Sequence, residues 1–302
     1  PNYLCYNMSK INTPIVIPES VKSIGAYAFY SCTSVPSLTL NKAIKSYTSQ
    51  FESCSGLTKV YYTGSIEDWC GISFSSTTSN PLYYAKNLYI DNTLATEITI
   101  PSTVKSIGAY QFFNASCLTK VTLPSTMETI NSYAFCGCSN MAAINLGSTA
   151  VTNVYSSAFY GCSKLKEIEF PNSVTSVGSS VLNNCTSLRK VTFGDNVTSI
   201  GSSALYNCTS LRKVTFGKNL TSIGSDALRI CSALDTVVWN VKTFSITSAS
   251  NTPFNASNVS VYSQIKSFTF GPDVETIPNY LCYNMSKINT PIVIPESVKS
   301  IG

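Results

Sequence analysis

The chain has 302 residues, of which 44% are hydrophobic and only 12% charged, against roughly 25% charged in an average globular domain. Serine, threonine, asparagine and tyrosine carry its solubility, as they often do in extracellular proteins, and the net charge of +5 is spread without a run of like charges, which argues against nucleic-acid binding. There is no histidine, which excludes Ser-His-Asp chemistry and mixed Cys/His zinc sites, and no stretch of about twenty apolar residues that would insert in a membrane.

The first 25 residues, "PNYLCYNMSKINTPIVIPESVKSIG", return without a change as residues 278–302, an offset of 277. A register of apolar residues starts at Val21 and Ile44, resumes at Val104, and runs through Met127, Val151, Val174, Val197 and Leu220 in steps of 23 or 24. It reappears at Val274. The two long intervals, Ile44 to Val104 and Leu220 to Val274, place irregular or inserted coils at about 61–97 and 240–268. The domain reading is one continuous solenoid over 1–302, with 278–302 starting the next superunit of 277 residues.

One unit reads "SLRKVTFGDNVTSIGSSALYNC". Leu188, Val191, Phe193, Val197, Ile200 and Leu205 are its large apolar positions, and Val191-Thr192-Phe193 alternates in, out, in like a half-buried strand. Gly194-Asp195-Asn196 is a turn in which Gly and Asn tolerate positive φ. A second extended piece, Val197 to Ile200, is broken by Gly201. The segment to Cys208 has room for one or two helical turns. No such unit buries its apolar side alone, so coils must stack at about 4.8 Å. The fold class is a repeat solenoid of stacked parallel β-strands, short helical turns and ~23-residue coils, open (uncapped) at both ends.

The recurring form seen in "SIGAYAFYSCTSV" and "TINSYAFCGCSNMAAINL" resembles the BspA-like class of leucine-rich repeats. Two longer stretches, Val60 to Gly108 and Ser267 to Ile288, also resemble that family's interrupting segments. The resemblance covers essentially the whole chain. It implies a leucine-rich-repeat fold, a secreted or surface-exposed protein, an adhesive or binding role, and no catalytic residues.

Several residues recur at the coil period. Cys138, Cys162, Cys185, Cys208 and Cys231, with Cys32 at the same unit position, form a structural ladder that stacks copy on copy. Buried thiols facing the turn backbone are the first reading, and disulfides between adjacent coils a second, since a spacing of ~4.8 Å falls within disulfide reach. Cys136-x-Cys138 lacks a second pair to complete a metal site. Lys164, Lys166, Arg189, Lys190, Arg212 and Lys213 stack into a basic strip, either a solvated face or a binding site for acidic glycans or an acidic host protein. Outward strand positions hold Thr39, Thr122, Thr192, Thr215 and Thr269, which pack as a hydroxyl ladder. Tyr61, Tyr62, Trp69, Tyr83, Tyr84 and Tyr89 either close the first insert over the core or form an aromatic contact surface. Asn-x-Ser/Thr sequons, such as those at Asn184, Asn196, Asn207 and Asn255, follow cheaply from the repeat composition.

No phosphate loop and no paired carboxylates at catalytic spacing occur, so neither an enzyme nor a cofactor is expected. The offset of 277 is close to twelve 23-residue coils. Such a block joins head to tail in register, by covalent continuation or by stacked protomers. The expected function is therefore a structural fibre outside the cell or at its surface, with itself as the first partner. A surface adhesin that binds host protein or glycan is the alternative.

Overall fold

The computed structural model describes residues 2–247, 253–254 and 262–302. Pro1, the Asn255 sequon and part of the expected 240–268 insert lie outside the described residues.

Each coil is a three-sided turn of a parallel solenoid. The first side is the longer strand, whose apolar residues point inward at every second position. Glu167–Phe170, Lys190–Phe193, Lys213–Phe216, Thr236–Trp239 and Ser267–Phe270 form one parallel sheet. In it Val191 lies opposite Val214 and Val214 opposite Val237. The second side is a two-residue strand. Ser106–Ile107, Thr129–Ile130, Asn153–Val154, Ser176–Val177, Ser199–Ile200 and Ser222–Ile223 pair in parallel in chain order.

The third side departs from the sequence reading. The segment before each cysteine is a string of turns, not a helix. The N–H groups of Ser203, Leu205 and Asn207 donate to the carbonyls of Ser225, Ala227 and Arg229, one coil on, at 2.8–2.9 Å. Tyr206 and Cys208 instead close local turns onto Ser203 and Leu205. A helix would consume within the coil the donors that tie it to its neighbour. The geometry needs left-handed backbone at two positions four residues apart, here Ser203 (φ 54°) and Asn207 (φ 59°). The same pair recurs at Tyr133 and Gly137, Ser157 and Gly161, and Ser180 and Asn184.

Gly194, expected to turn through positive φ, and Gly201, expected to break the second extended piece, both serve close approach between coils. Neither Gly194 nor Gly201 has positive φ. A Cβ on Gly201 would lie 2.4 Å from the Ser179 nitrogen of the preceding coil, and one on Gly194 would lie 2.6 Å from the Pro171 carbonyl oxygen. In the Gly194-Asp195-Asn196 turn the polar residues serve the stack: Asn196 donates its side-chain amide to the Asn172 carbonyl at 2.8 Å.

The interior is filled by columns. Phe112, Phe135 and Phe159 stack at 5.3 and 5.6 Å between ring centroids, and Phe170, Phe193 and Phe216 at 5.2 and 5.8 Å. Leu188, Val191, Phe193, Val197, Ile200 and Leu205 are all buried, each contributing roughly 1.5–3 kcal/mol against exposure before chain entropy is counted.

Two irregularities interrupt the strand face. Residues 63–87 form one enlarged coil, with a helix over Ile66–Cys70 capped by Ser65 and Asp68. It is followed by a hairpin of Leu88–Ile90 on Thr93–Leu94, the one antiparallel pairing among the described residues. Asp91 and Asn92 take φ 48° and 59°, as a two-residue type I′ turn requires. Further on, the 3-10 turn Leu146–Ser148 leaves the strand line after Ala143–Ile144. There Asn145 exchanges side-chain hydrogen bonds with the Leu123 N–H and carbonyl, replacing the lost backbone pairing.

Candidate functional site

The strand side carries cations in register over neighbouring coils. Alternation on Lys190–Phe193 sends Val191 and Phe193 inward and leaves Lys190 exposed. Because the coils pair residue on residue, Lys190 lies opposite Lys213. One position earlier, the N–H of Arg189 donates to the Lys166 carbonyl and that of Arg212 to the Arg189 carbonyl, which stacks Lys166, Arg189 and Arg212 in a second column. Lys164 stands beside them, and all six cations are exposed.

None of the six has an acidic partner within 4 Å among the described residues. Several other exposed lysines are paired, among them Lys105 with Glu128 at 2.8 Å, Lys218 with Asp273 at 2.7 Å, and Lys242 and Lys299 with Glu275 at 2.9 Å, whereas Lys22, Lys42 and Lys59, like the strip, have no carboxylate within 4 Å among the described residues. Asp273 holds the Lys218 ammonium above its ordinary pKa, and the two lysines hold the Glu275 carboxyl below its own. The strip is bounded by Glu167, opposite Lys190, and by Asp235, whose N–H donates to the Arg212 carbonyl. A cleft of about 330 Å³ adjoins it where the 3-10 turn leaves the sheet, with Asn145, Ser148, Glu167, Glu169, Lys190 and Thr192 on its walls. Thr192 and Thr215 continue the same outer face in register.

The cysteine ladder lies inside. Each thiol donates to a main-chain carbonyl one coil earlier: Cys32 to Cys5, Cys138 to Phe112, Cys162 to Phe135, Cys185 to Phe159, Cys208 to Leu182 and Cys231 to Leu205, at 3.1–3.2 Å. Cys54 belongs to the same column, donating to Phe29 at 3.1 Å. Sequence reading missed it, although it follows Cys32 by 22 residues. Burial is the main cause that pushes these thiols up, Cys54 to about 12 and Cys138, Cys162 and Cys208 well above the ordinary value. All twelve cysteines are free thiols.

In the first insert Tyr62 and Trp69 are buried and meet edge to face at 5.3 Å, and the Trp69 indole donates to the Gln111 carbonyl. These two close the core. Tyr61 stacks on Tyr89 at 4.7 Å on the outer face, Tyr83 lies against Phe113, and the Tyr84 hydroxyl accepts from the Ser53 N–H. Among the described residues no group of three or more Cys, Asp or Glu is placed to hold a metal ion, and no helix is long and apolar enough to cross a membrane.

The duplicated block occupies two complementary half-environments. Residues 2–25 are covered on the side of the following coil: Tyr3, Cys5 and Asn7 donate to the carbonyls of Ala26, Ala28 and Tyr30, Ile15 lies opposite Leu38, and Ile17 donates to Thr39. Residues 278–302 are covered on the side of the preceding coil: Asn289 donates to Lys266, Lys299 to Glu275 and Gly302 to Ile277. The exposures mirror this difference. Leu4 is 61% exposed and its equivalent Leu281 1%, whereas Ile17 is 7% exposed and its equivalent Ile294 43%.

The BspA type leucine-rich repeat model matches this chain in six copies, over residues 1–90, 85–208, 152–260 and 186–302. Among solved structures the chain is similar to a leucine-rich repeat protein from Bacteroides ovatus ATCC 8483. The identity is 22% and the TM-score 0.63, over 100% of this chain and 77% of that one. It is also similar to a leucine-rich repeat protein from Eubacterium ventriosum ATCC 27560, at 20% identity and a TM-score of 0.49, over 95% of this chain and 73% of that one. No curated protein sequence matches it.

Proposed function

Because this chain belongs to the BspA-type leucine-rich repeat family, we propose that it is a non-enzymatic structural protein of the cell exterior, in which 277-residue superunits follow one another end to end. The observation that carries this reading is the pair of half-environments around one sequence. The face of the block left bare at residues 1–25 is the face covered at 278–302, and the reverse, so a coil of the 266–277 kind and a coil of the 26–50 kind fit its two sides. Superunits joined through this block then keep a continuous strand ladder, whether by covalent continuation or between stacked protomers. Electron microscopy of the native material tests it. Long fibres of uniform width are expected, and compact single particles would overturn it.

The second reading, an adhesin for sulfated or acidic glycans or an acidic host protein, is favoured by the unpaired cations of Lys164, Lys166, Arg189, Lys190, Arg212 and Lys213. Like charges opposed in register destabilise a sheet, and a polyanion laid along the columns relieves that repulsion. Binding to a sulfated glycan that weakens with salt is the expected result. Retention unchanged after charge reversal at Arg189 and Arg212 would remove it.

A further inference from the structure

We infer that the strand Glu97–Thr99 takes up an extended segment of a partner protein as one further strand, laid along the sheet edge that the hairpin leaves open. The inference is independent of both readings above.

The strand ladder breaks at this place inside the solenoid. Among the described residues Glu97–Thr99 pairs only with Lys120–Thr122, while the hairpin of Leu88–Ile90 and Thr93–Leu94 belongs to the sheet before it. Parallel strands bond through alternate residues. Here the Thr96 carbonyl accepts from the Lys120 N–H, and the Ile100 N–H donates to the Thr122 carbonyl. Residues 96, 98 and 100 therefore address the following coil, and Glu97 and Thr99 turn their main chain the other way. At equivalent positions in neighbouring coils Lys120 and Lys213 donate to the Thr96 and Arg189 carbonyls of the coil before. The N–H groups of Glu97 and Thr99 find no acceptor among the described residues. Nor does that of Leu94: Ala95 donates to Leu88, so Leu94 is the residue of the antiparallel pair whose main chain points away from its partner.

A groove of about 240 Å³ lies along this edge, with Ile66, Ile90, Leu94 and Ile98 as its apolar walls and Glu97 and Thr99 on its polar side. Unpaired donors on a strand edge are the template on which an extended peptide adds, main-chain bonds giving affinity and alternate side chains specificity. The other interruption of the strand face differs. There the 3-10 turn Leu146–Ser148 lies against the edge strand Glu167–Phe170, and a Cβ on Gly147 would come within 3.0 Å of the Glu169 Cβ.

The strand on the opposite edge shows which chemistry fits. Lys120, Val121 and Thr122 lie opposite Glu97, Ile98 and Thr99. Lys120 approaches the Glu97 carboxylate only to 3.9 Å, and the Glu97 side chain stays 66% exposed, so a second cation can reach it from the open side. A segment that alternates basic, apolar and hydroxyl residues, as Lys190–Phe193 does, sets its cation at Glu97 and its apolar residue in the groove beside Ile98 and Leu94.

Amide NMR of the full chain, titrated with the peptide Arg-Lys-Val-Thr-Phe-Gly (the sequence of residues 189–194), tests this. Saturable shifts centred on Leu94, Glu97 and Thr99 are expected, with hydrogen exchange of the Glu97 and Thr99 N–H groups slowed by about tenfold or more. N-methylation separates strand addition from mere adhesion. In parallel register the peptide's valine N–H donates to the Glu97 carbonyl and its threonine N–H points away, so a methyl on the valine nitrogen should abolish binding and one on the threonine nitrogen should spare it. Glu97→Lys alters an exposed side chain and should weaken binding by at least about tenfold, and a peptide with glutamate in place of its lysine should bind that variant again. Thr99→Pro removes one edge donor and no bond to Lys120–Thr122, a change that edge strands tolerate. It should weaken binding too, with the melting temperature as the check on the fold. No saturable binding at millimolar peptide, shifts centred on another face, equal binding of the two methylated peptides, or Glu97→Lys without effect would each overturn the inference.

Discussion

Ile230 holds a left-handed backbone, φ 63°, at the position where Asn207, one coil earlier, holds φ 59°. Equivalent positions carry Asn184, Asn114, Gly137 and Gly161, residues that tolerate this region, whereas a β-branched side chain there is strained. Ile230→Asn should therefore stabilise the chain by about 1 kcal/mol, because native strain is removed without loss of a fully buried contact. Equilibrium denaturation of the two proteins checks it, and a destabilised variant would mean that the Ile230 side chain packs more than its half-buried state indicates.

The thiol ladder makes stability fall in alkali. Cys138, Cys162, Cys185 and Cys208 are kept neutral by burial, with folded pKa values raised above the ordinary value of 9.0. Their contribution is full below that value. Above it the unfolded chain releases protons that the folded chain retains, so stability drops as pH rises toward the folded values, by about 1.4 kcal/mol per thiol at pH 10. Melting followed from pH 7 to 10.5 should show a decline starting near pH 9. Cys208→Ala should melt lower at pH 7, through a lost hydrogen bond and a small cavity, and should decline less steeply.

Close approach between coils makes Gly201 sensitive. Its Cβ would meet backbone atoms of Ser179 and Gly178, which cannot move without shifting a whole coil. Gly201→Ala should destabilise by about 1–3 kcal/mol, even though alanine suits an ordinary extended segment better than glycine. Gly71, whose added Cβ would come no nearer than 3.3 Å to the Asp68 carbonyl oxygen, is the control and should tolerate alanine with a far smaller loss.

On the outer face, Lys213 lies between Lys190 and Thr236 in register. Lys213→Glu turns an opposed like-charge pair into an opposite one and should raise stability by about 0.2–1 kcal/mol at low salt, an effect that salt then screens. If the strip holds a polyanion, the same variant binds sulfated glycan more weakly. A gain in stability with unchanged binding would assign the strip to solvation alone.

Particular residues show how far the chain could be read unaided. Val191 and Phe193 announced a buried alternation, and the recurrence of Cys185 and Cys208 announced a column, because a 23-residue period leaves equivalent residues no neighbours but each other. The turn string was misread as helical at Ser202 to Cys208, since short Ser/Ala/Leu segments suit either conformation and only the carbonyls of the next coil select between them. Gly194 was assigned to conformational freedom and Gly201 to a strand break for the same reason: close approach to the backbone of another coil, where an added Cβ on Gly201 would lie 2.4 Å from the Ser179 nitrogen, has no signature in the local sequence. Cys54 was hidden by the irregular coil that follows it. The basic strip was legible as a composition, but its lack of counter-ions was not.

By itself the sequence determined the period, the inward positions, the duplicated block and the family, because a coil that cannot bury its own apolar side dictates a stack of like units. Only the tertiary structure decided which N–H groups bond within a coil and which bond across, which thiols and cations stand alone, and that the two copies of one block are covered on opposite faces. Those are properties of the interface between coils, where identical residues acquire different surroundings from the neighbour on either side.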